Sequence, residues 1–289
     1  IINLLGMKSS ARFASFCSIA GLLIPMALII GLGVVWVVSG QPVEVDFDIQ
    51  HIIPHSYNAD MWVSLIGIMM SFCGMEIATV HVRDVRNPQK TFPVAMLYSV
   101  VIILVTLVLG SLAIAVVIPH DNISLVSGIM EAFSVFFTSY HLKWFLPVVA
   151  AMLVVGGMGG LNNWVIAPTR GMVIAGNDGC LPPILRKENN HRAPAILLLY
   201  QAVIVTLLCA VFLLMPSVNG SYWFLTALAA QLYMFMYIMM FAAGIRLRYS
   251  HADMSRGYKI FGGKVGMWVV GLAGLISSIG TVIVGFIPP

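Results

Sequence analysis

Seven apolar stretches divide this chain, at about 14–40, 62–82, 93–118, 144–168, 194–215, 221–245 and 266–287. A helix needs about 20 apolar residues to cross a hydrocarbon core of roughly 30 Å, and each stretch is long enough. Backbone groups inside lipid must be bonded within their own segment, which reads these stretches as helices. Hydrophobic residues make up 60% of the chain and charged residues 9%, against about 25% charged in a soluble domain. The expected fold class is an all-α integral membrane protein of about seven transmembrane helices, with a mean hydropathy of +0.98. No stretch has the charged start, short apolar run and small-residue cleavage site of a signal peptide. The chain opens on Ile1 and runs straight into a helix, so it reads as an internal piece of a longer protein.

Charge gives the orientation. Lys143 alone among the cations falls in the loops on one side. On the other side lie Lys8, Arg12, Arg83, Arg86, Lys90, Arg170, Arg186, Lys187 and Arg192, followed by Arg246, Arg248, Arg256, Lys259 and Lys264. The positive-inside rule makes that second side cytoplasmic, with the amino end inside and Pro289 outside. Glu44, Asp46, Asp48, Asp60, Asp121 and Glu131 occupy the external loops. The net charge of +4 is thus a topology signal and gives no reason to expect nucleic acid. Trp36, Trp62, Trp144 and Trp223 fall near outer helix ends and Trp268 near an inner one, as an aromatic belt would. Cys17, Cys73, Cys180 and Cys209 have no paired spacing, so neither a disulfide framework nor a metal site is expected. His51 and His55 have the spacing of a metal pair, but Pro54 stands between them and no third ligand is evident. They read as loop residues.

The stretch Met61–Pro93 carries the candidate chemistry. Its apolar run stops at Gly74-Met75-Glu76, resumes through Val82, and ends in the basic knot of Arg83, Asp84, Arg86 and Lys90. A carboxylate inside a membrane is expensive and usually functional; the bland alternative is a carboxylate buried for packing and held by amides or a hydroxyl. A glycine beside it marks where the helix can open and offer bare backbone groups to a ligand. Arg83, Asp84 and Arg86 read as a solvated helix end, and Asn87-Pro88 disfavours continuing the helix past Arg86.

Elsewhere, Leu125, Ile129, Phe133 and Phe137 recur at helical spacing after a possible cap at Asp121, Asn122 or Ser124. This predicts an amphipathic helix over the outer face, either a gate or a packed loop. Gly156 and Gly160 have the small-xxx-small spacing of close helix packing. Asn162 and Asn163 are amides that need partners inside a span. A polar inner loop is expected from Gly171 to Arg192. Gln231, Tyr233 and Tyr237 form the polar stripe of the sixth span, as core hydrogen-bonders or as cavity lining.

These residues resemble a known family. Phe72-x-Gly74-x-Glu76 with Asn87-Pro88 and Pro93 is similar to the sixth helix of permeases of the amino acid–polyamine–organocation superfamily. Trp164-x-x-x-Pro168-x-Arg170-Gly171, then Gly179-x-Leu181-Pro182, resembles their eighth helix and the loop after it. The glutamate/GABA antiporter branch is closest, including His81-Val82 and Pro42-Val43-Glu44. Where that branch has an acidic residue one turn before the Trp, this chain has Gly160, a departure compatible with another amino-acid pair or with a decayed transporter.

The resemblance implies a LeuT-like five-plus-five inverted-repeat fold in one transmembrane domain, 1–289. In it, 14–40 would be the last helix of the first repeat, 62–245 the second repeat and 266–287 an additional helix. It implies a secondary active amino-acid antiporter in the cell membrane, a bacterial inner membrane, with proton- or pH-dependent exchange. Substrate would bind at Cys73, Gly74, Met75 and Glu76, against a further broken helix outside this sequence. Glu76 would also sense protons, because a low-dielectric setting disfavours a carboxylate's charged form; the external His51, His55, His120 and His141 would add to acid sensing or do nothing. Expected partners are small-molecule amino acids and the lipid bilayer, with a homo-oligomer left open and no cofactor. Two other classes compete: a transport-incompetent fragment or accessory subunit, and a membrane-embedded enzyme. The enzyme reading is the weaker, since Glu76 is the only carboxylate within the spans and no nucleophile or metal set accompanies it.

Overall fold

The computed structural model describes residues 2–45, 59–119, 127–191, 193–212, 218–254 and 256–286. All regular elements among them are helical. The α-helices are α1 (Met7–Ser18), α2 (Ile24–Val38), α3 (Ala59–Ser71), α4 (Pro88–Ala115), α5 (Gly128–Ser139), α6 (Leu146–Asn177), α7 (Ala195–Phe212), α8 (Val218–Ser250) and α9 (Gly263–Val284). Six helical segments among the described residues are long and apolar enough to cross a membrane: Ser9–Val38, Leu65–Val82, Pro88–Ala115, Lys143–Asn177, Gly220–Ser250 and Gly263–Val284. The expected span at 194–215 is represented by α7, with 18 residues. Asp46, Asp48, His51, His55, His120, Asp121, Asn122, Ser124 and Leu125 lie outside the described residues.

The chain divides into two units, Ile1–Phe47 with Ile77–Val80 and Val100–Leu214, and Asp48–Glu76 with His81–Ser99 and Met215–Pro289. In the first unit, α1 and α2 are one run joined by a π-helical turn at Ile19–Leu23. Proline at 25 has no N–H for the carbonyl of Gly21, four residues earlier. The ladder widens there: the amide of Ile24 donates to the carbonyl of Ile19. This turn lies against α6, where a Cβ on Gly21 would strike the backbone of Gly156, and one on Gly159 would strike the Cys17 side chain. The small-residue contact on α6 is therefore Gly156 with Gly159. Gly160, expected in that role, has nothing within 4 Å of a Cβ position.

Of the paired amides, Asn162 is buried and Asn163 exposed. The Asn162 Nδ2 donates to Ser10 Oγ at 2.7 Å, Ser10 Oγ donates to Asn3 Oδ1 at 2.7 Å, and Asn3 Nδ2 donates to the Asn162 carbonyl at 3.2 Å. The bonds close a ring that ties the amino-terminal segment to α6. Removing one member strands buried polar atoms, at roughly 1–3 kcal/mol. Asn162→Leu is expected to lower the thermal unfolding midpoint in detergent, and Asn163→Leu to leave it nearly unchanged. Equal midpoints would show that the ring is not a stability element.

The amphipathic helix is α5, whose Phe133, Phe136 and Phe137 are at most 1% exposed and pack with Ile29, Ala113 and Val149. Its N-cap position is Ser127, whose hydroxyl pairs with Glu131. Trp36, expected in the interfacial belt, is 6% exposed and stands edge-on to Phe136 and Tyr140 in that core. Its indole N–H donates to the Pro42 carbonyl at 2.9 Å. Trp144, by contrast, is 71% exposed. The inner loop starts later than Gly171, because α6 continues through Pro168 to Asn177 before Gly179 turns it with φ 86°.

In the second unit, α8 and α9 form an antiparallel hairpin. Side-chain positions at Gly244, Gly271 and Gly274 would meet Met267, Ile245 and Phe241 respectively, so residue numbers rise on one helix as they fall on the other. Helix α3 packs on this pair through Ile66 and Met70, which meet Ala230 and Val284.

Candidate functional site

The second expected span is two helical pieces. Helix α3 ends at Ser71 in tight turns, with the amides of Phe72 and Cys73 bonded to the carbonyls of Met69 and Met70. Gly74 then has φ 99° and ψ −3°, a conformation that L side chains rarely adopt. A 3₁₀ helix follows, Met75–Asp84. Val85 is extended, Asn87 has φ 53°, and Pro88 starts α4, which carries Pro93 inside it. The interruption falls where the glycine and the carboxylate interrupt the apolar run.

The sequence-predicted site residues, Cys73, Gly74, Met75 and Glu76, are all half-buried around the break. The Cys73 thiol turns back to the Met69 carbonyl at 3.2 Å. Glu76 lies in the first turn of the second piece, the end of a helical segment that favours negative charge. Tyr237, on α8 in the same unit, bridges the two sides of the break. Its hydroxyl accepts the Gly74 amide at 3.1 Å and donates to Glu76 Oε2 at 2.6 Å. Tyr233, one turn away, stands edge-on to Tyr237 with ring centroids 5.9 Å apart.

This arrangement uses the phenol in both of its hydrogen-bonding roles. The amide freed by the break is satisfied, and the carboxylate is tethered beside it. The polar stripe of α8 is thereby divided. Tyr237 is a hydrogen-bonder at the break, while Gln231 lies by Gly285, where an added side chain would collide with its amide. The spacing of Tyr233 and Tyr237, four apart on one helical face, is the signal that pairs the two rings; nothing local in sequence joins Tyr237 to Glu76. Among the histidines expected to sense acid, the described His141 is an exposed turn residue after α5 with φ 57°.

A polar, hydroxyl-braced break inside an apolar span is the kind of feature that membrane carriers use for solutes. The sequence model of the amino acid permease family matches residues 1–289. The chain belongs to the amino acid permease family. This permease sequence is 41% identical over 288 residues to an uncharacterized transporter of Legionella pneumophila, with 100% of this chain and 62% of that protein covered. It is 29% identical over 287 residues to a glutamate/gamma-aminobutyrate antiporter of Lactococcus lactis, covering 98% of this chain and 57% of that one. A cadaverine/lysine antiporter of Escherichia coli is 25% identical over 158 residues, 55% of this chain and 35% of that protein. The permease chain thus spans 57–62% of the length of the first two relatives. The family and the glutamate/GABA likeness agree with the reading of the Phe72–Glu76 and Trp164–Gly171 motifs. With its apolar helices, the chain is a multi-pass membrane protein.

Proposed function

We propose that the protein carrying this chain is a secondary active amino-acid antiporter with pH-dependent exchange. The observation that carries the reading is the break at Gly74, braced by Tyr237 and placed beside the carboxylate of Glu76. An amino acid has an ammonium and a carboxylate, and the carbonyl and amide ends of a broken helix complement that pair. The reading assigns substrate contact to Cys73, Gly74, Met75 and Glu76, and proton sensing to Glu76. It takes 14–40 as the last helix of a first repeat, 62–245 as a second repeat and 266–287 as an additional helix. The antiporter names of the Lactococcus and Escherichia relatives support exchange over one-way transport.

The test is counterflow in vesicles reconstituted with the transporter. Labelled amino acid should enter only when the lumen holds an exchangeable amino acid, and entry should rise as the external pH falls. Glu76→Gln mimics the neutral carboxyl, so this variant should exchange at the acid-like rate with a flattened pH profile. Equal entry into empty vesicles would remove the antiport reading. A variant profile that matches the parent's would remove Glu76 as the sensor while leaving antiport standing.

A further inference from the structure

We infer that the loop joining α8 to α9, with the helix ends flanking it, is a docking surface for the anionic headgroups of membrane phospholipids. Between Arg246 and Lys264 the chain has five cations (Arg246, Arg248, Arg256, Lys259 and Lys264) against one acid, Asp253. Arg246, Lys259 and Lys264 are exposed. Two more exposed cations, Arg86 and Lys90, flank Gln89, which lies against Gly257 of the loop. Such clusters beside a membrane helix attract anionic lipid at roughly fivefold in affinity per cation.

Geometry selects lipid over a soluble partner. Helices α8 and α9 are antiparallel spans, so both ends of the loop emerge at one membrane surface and its residues are held at headgroup depth. The exposed apolar groups fit that depth: Phe261 is 97% exposed, Val265 72% and Tyr258 65%. Aromatic rings interleaved with lysines belong at the headgroup–acyl boundary. A solvent-facing loop would have little use for them.

The surface is also ordered. The Arg256 guanidinium closes the end of α8 by donating to the carbonyls of Leu247 and His251 at 3.0 and 2.7 Å, and to those of Ala252 and Met254 at 3.4 and 3.3 Å. Trp268 donates its indole N–H to Tyr249 Oη at 2.7 Å, and Lys264 Nζ lies 5.2 Å from the Tyr249 ring centroid. Lys264 sits in the first turn of α9, where a cation opposes the helix dipole. Its exposed ammonium is instead held over the Tyr249 ring beside the loop's aromatic groups, where an anionic headgroup can reach it.

The experiment uses the protein that carries this chain, in detergent, titrated with brominated phosphatidylglycerol or brominated phosphatidylcholine while tryptophan fluorescence is followed. Phosphatidylglycerol should quench at lower concentration than phosphatidylcholine. The Lys259→Gln/Lys264→Gln double variant should lose roughly 25-fold in phosphatidylglycerol affinity, with phosphatidylcholine quenching unchanged. Lys264→Arg should retain parental affinity, which separates lost charge from lost folding, and Lys143→Gln should also match the parent. Phe261→Ser, with every charge kept, should weaken both lipids. An unchanged preference for phosphatidylglycerol in the double variant overturns the inference. So does full displacement of the lipid by inorganic phosphate at matched concentration, since that would make the site one for free anions. Tight binding of a soluble acidic peptide with no lipid preference would assign the loop to a protein partner instead.

Discussion

Gly74→Val is expected to abolish amino-acid exchange while the protein still reaches the membrane. At φ 99° and ψ −3°, Gly74 occupies backbone space that a β-branched residue enters only as an outlier. Holding a side chain in a left-handed conformation costs roughly 1–2 kcal/mol, and valine is stiffer than most. The backbone would move toward ordinary helical angles, carrying the Gly74 amide away from Tyr237 and Glu76 off its tether. The change is local, because the apolar faces of α3 that pack on α8 and α9 remain. Gly271→Ala provides the contrast: Gly271 lies in α9, where a Cβ would stand 2.8 Å from both Cδ1 and Cγ1 of Ile245, so that side chain must shift. That substitution should trim stability and leave exchange largely intact. Counterflow and surface labelling on both variants decide the matter. Parental substrate affinity in Gly74→Val would refute the placement of the site.

How far the sequence could be read depends on whether the relevant physics is local. The spans are legible because lipid demands long uncharged helices, and hydropathy reports that directly. The break is legible for the same reason: glycine and glutamate together violate the span's own rule. Packing is only half legible. The small-xxx-small spacing points to Gly156 and Gly160, but the companion of Gly156 is Gly159. The facing helix is unevenly wound at Ile19–Leu23, which offers Cys17 and Gly21 as the surfaces to be met. Trp36 shows a different limit. A tryptophan near a helix end fits an interfacial belt and a core equally well, until Phe136 of α5 and Tyr140 just after it are seen to cover it. The Tyr237–Glu76 pair was out of reach, since 161 positions separate the two residues.

Tyr237→Phe is expected to loosen the break without unfolding the unit around it. The substitution removes one oxygen and keeps the ring that stands edge-on to Tyr233, so packing on α8 changes little. It removes both the acceptor for the Gly74 amide and a donor to Glu76 Oε2. Leaving this half-buried donor without its partner costs about 1 kcal/mol, the low end for a stranded donor, so amide exchange at Gly74 should accelerate by roughly fivefold. Exchange at α3 amides such as Ile66, well inside the helix, should be unchanged, which distinguishes local opening from global loss of stability. Transport should respond as well. With the Gly74 amide and the Glu76 carboxylate both released from the phenol, counterflow should be slower than in the parent. Hydrogen exchange resolved by mass spectrometry tests the first effect, and the counterflow rate tests the second by comparison with the parent. If the Gly74 amide is protected equally in variant and parent, the hydroxyl does not hold the break, and the polar bridge is a consequence of packing between α3 and α8.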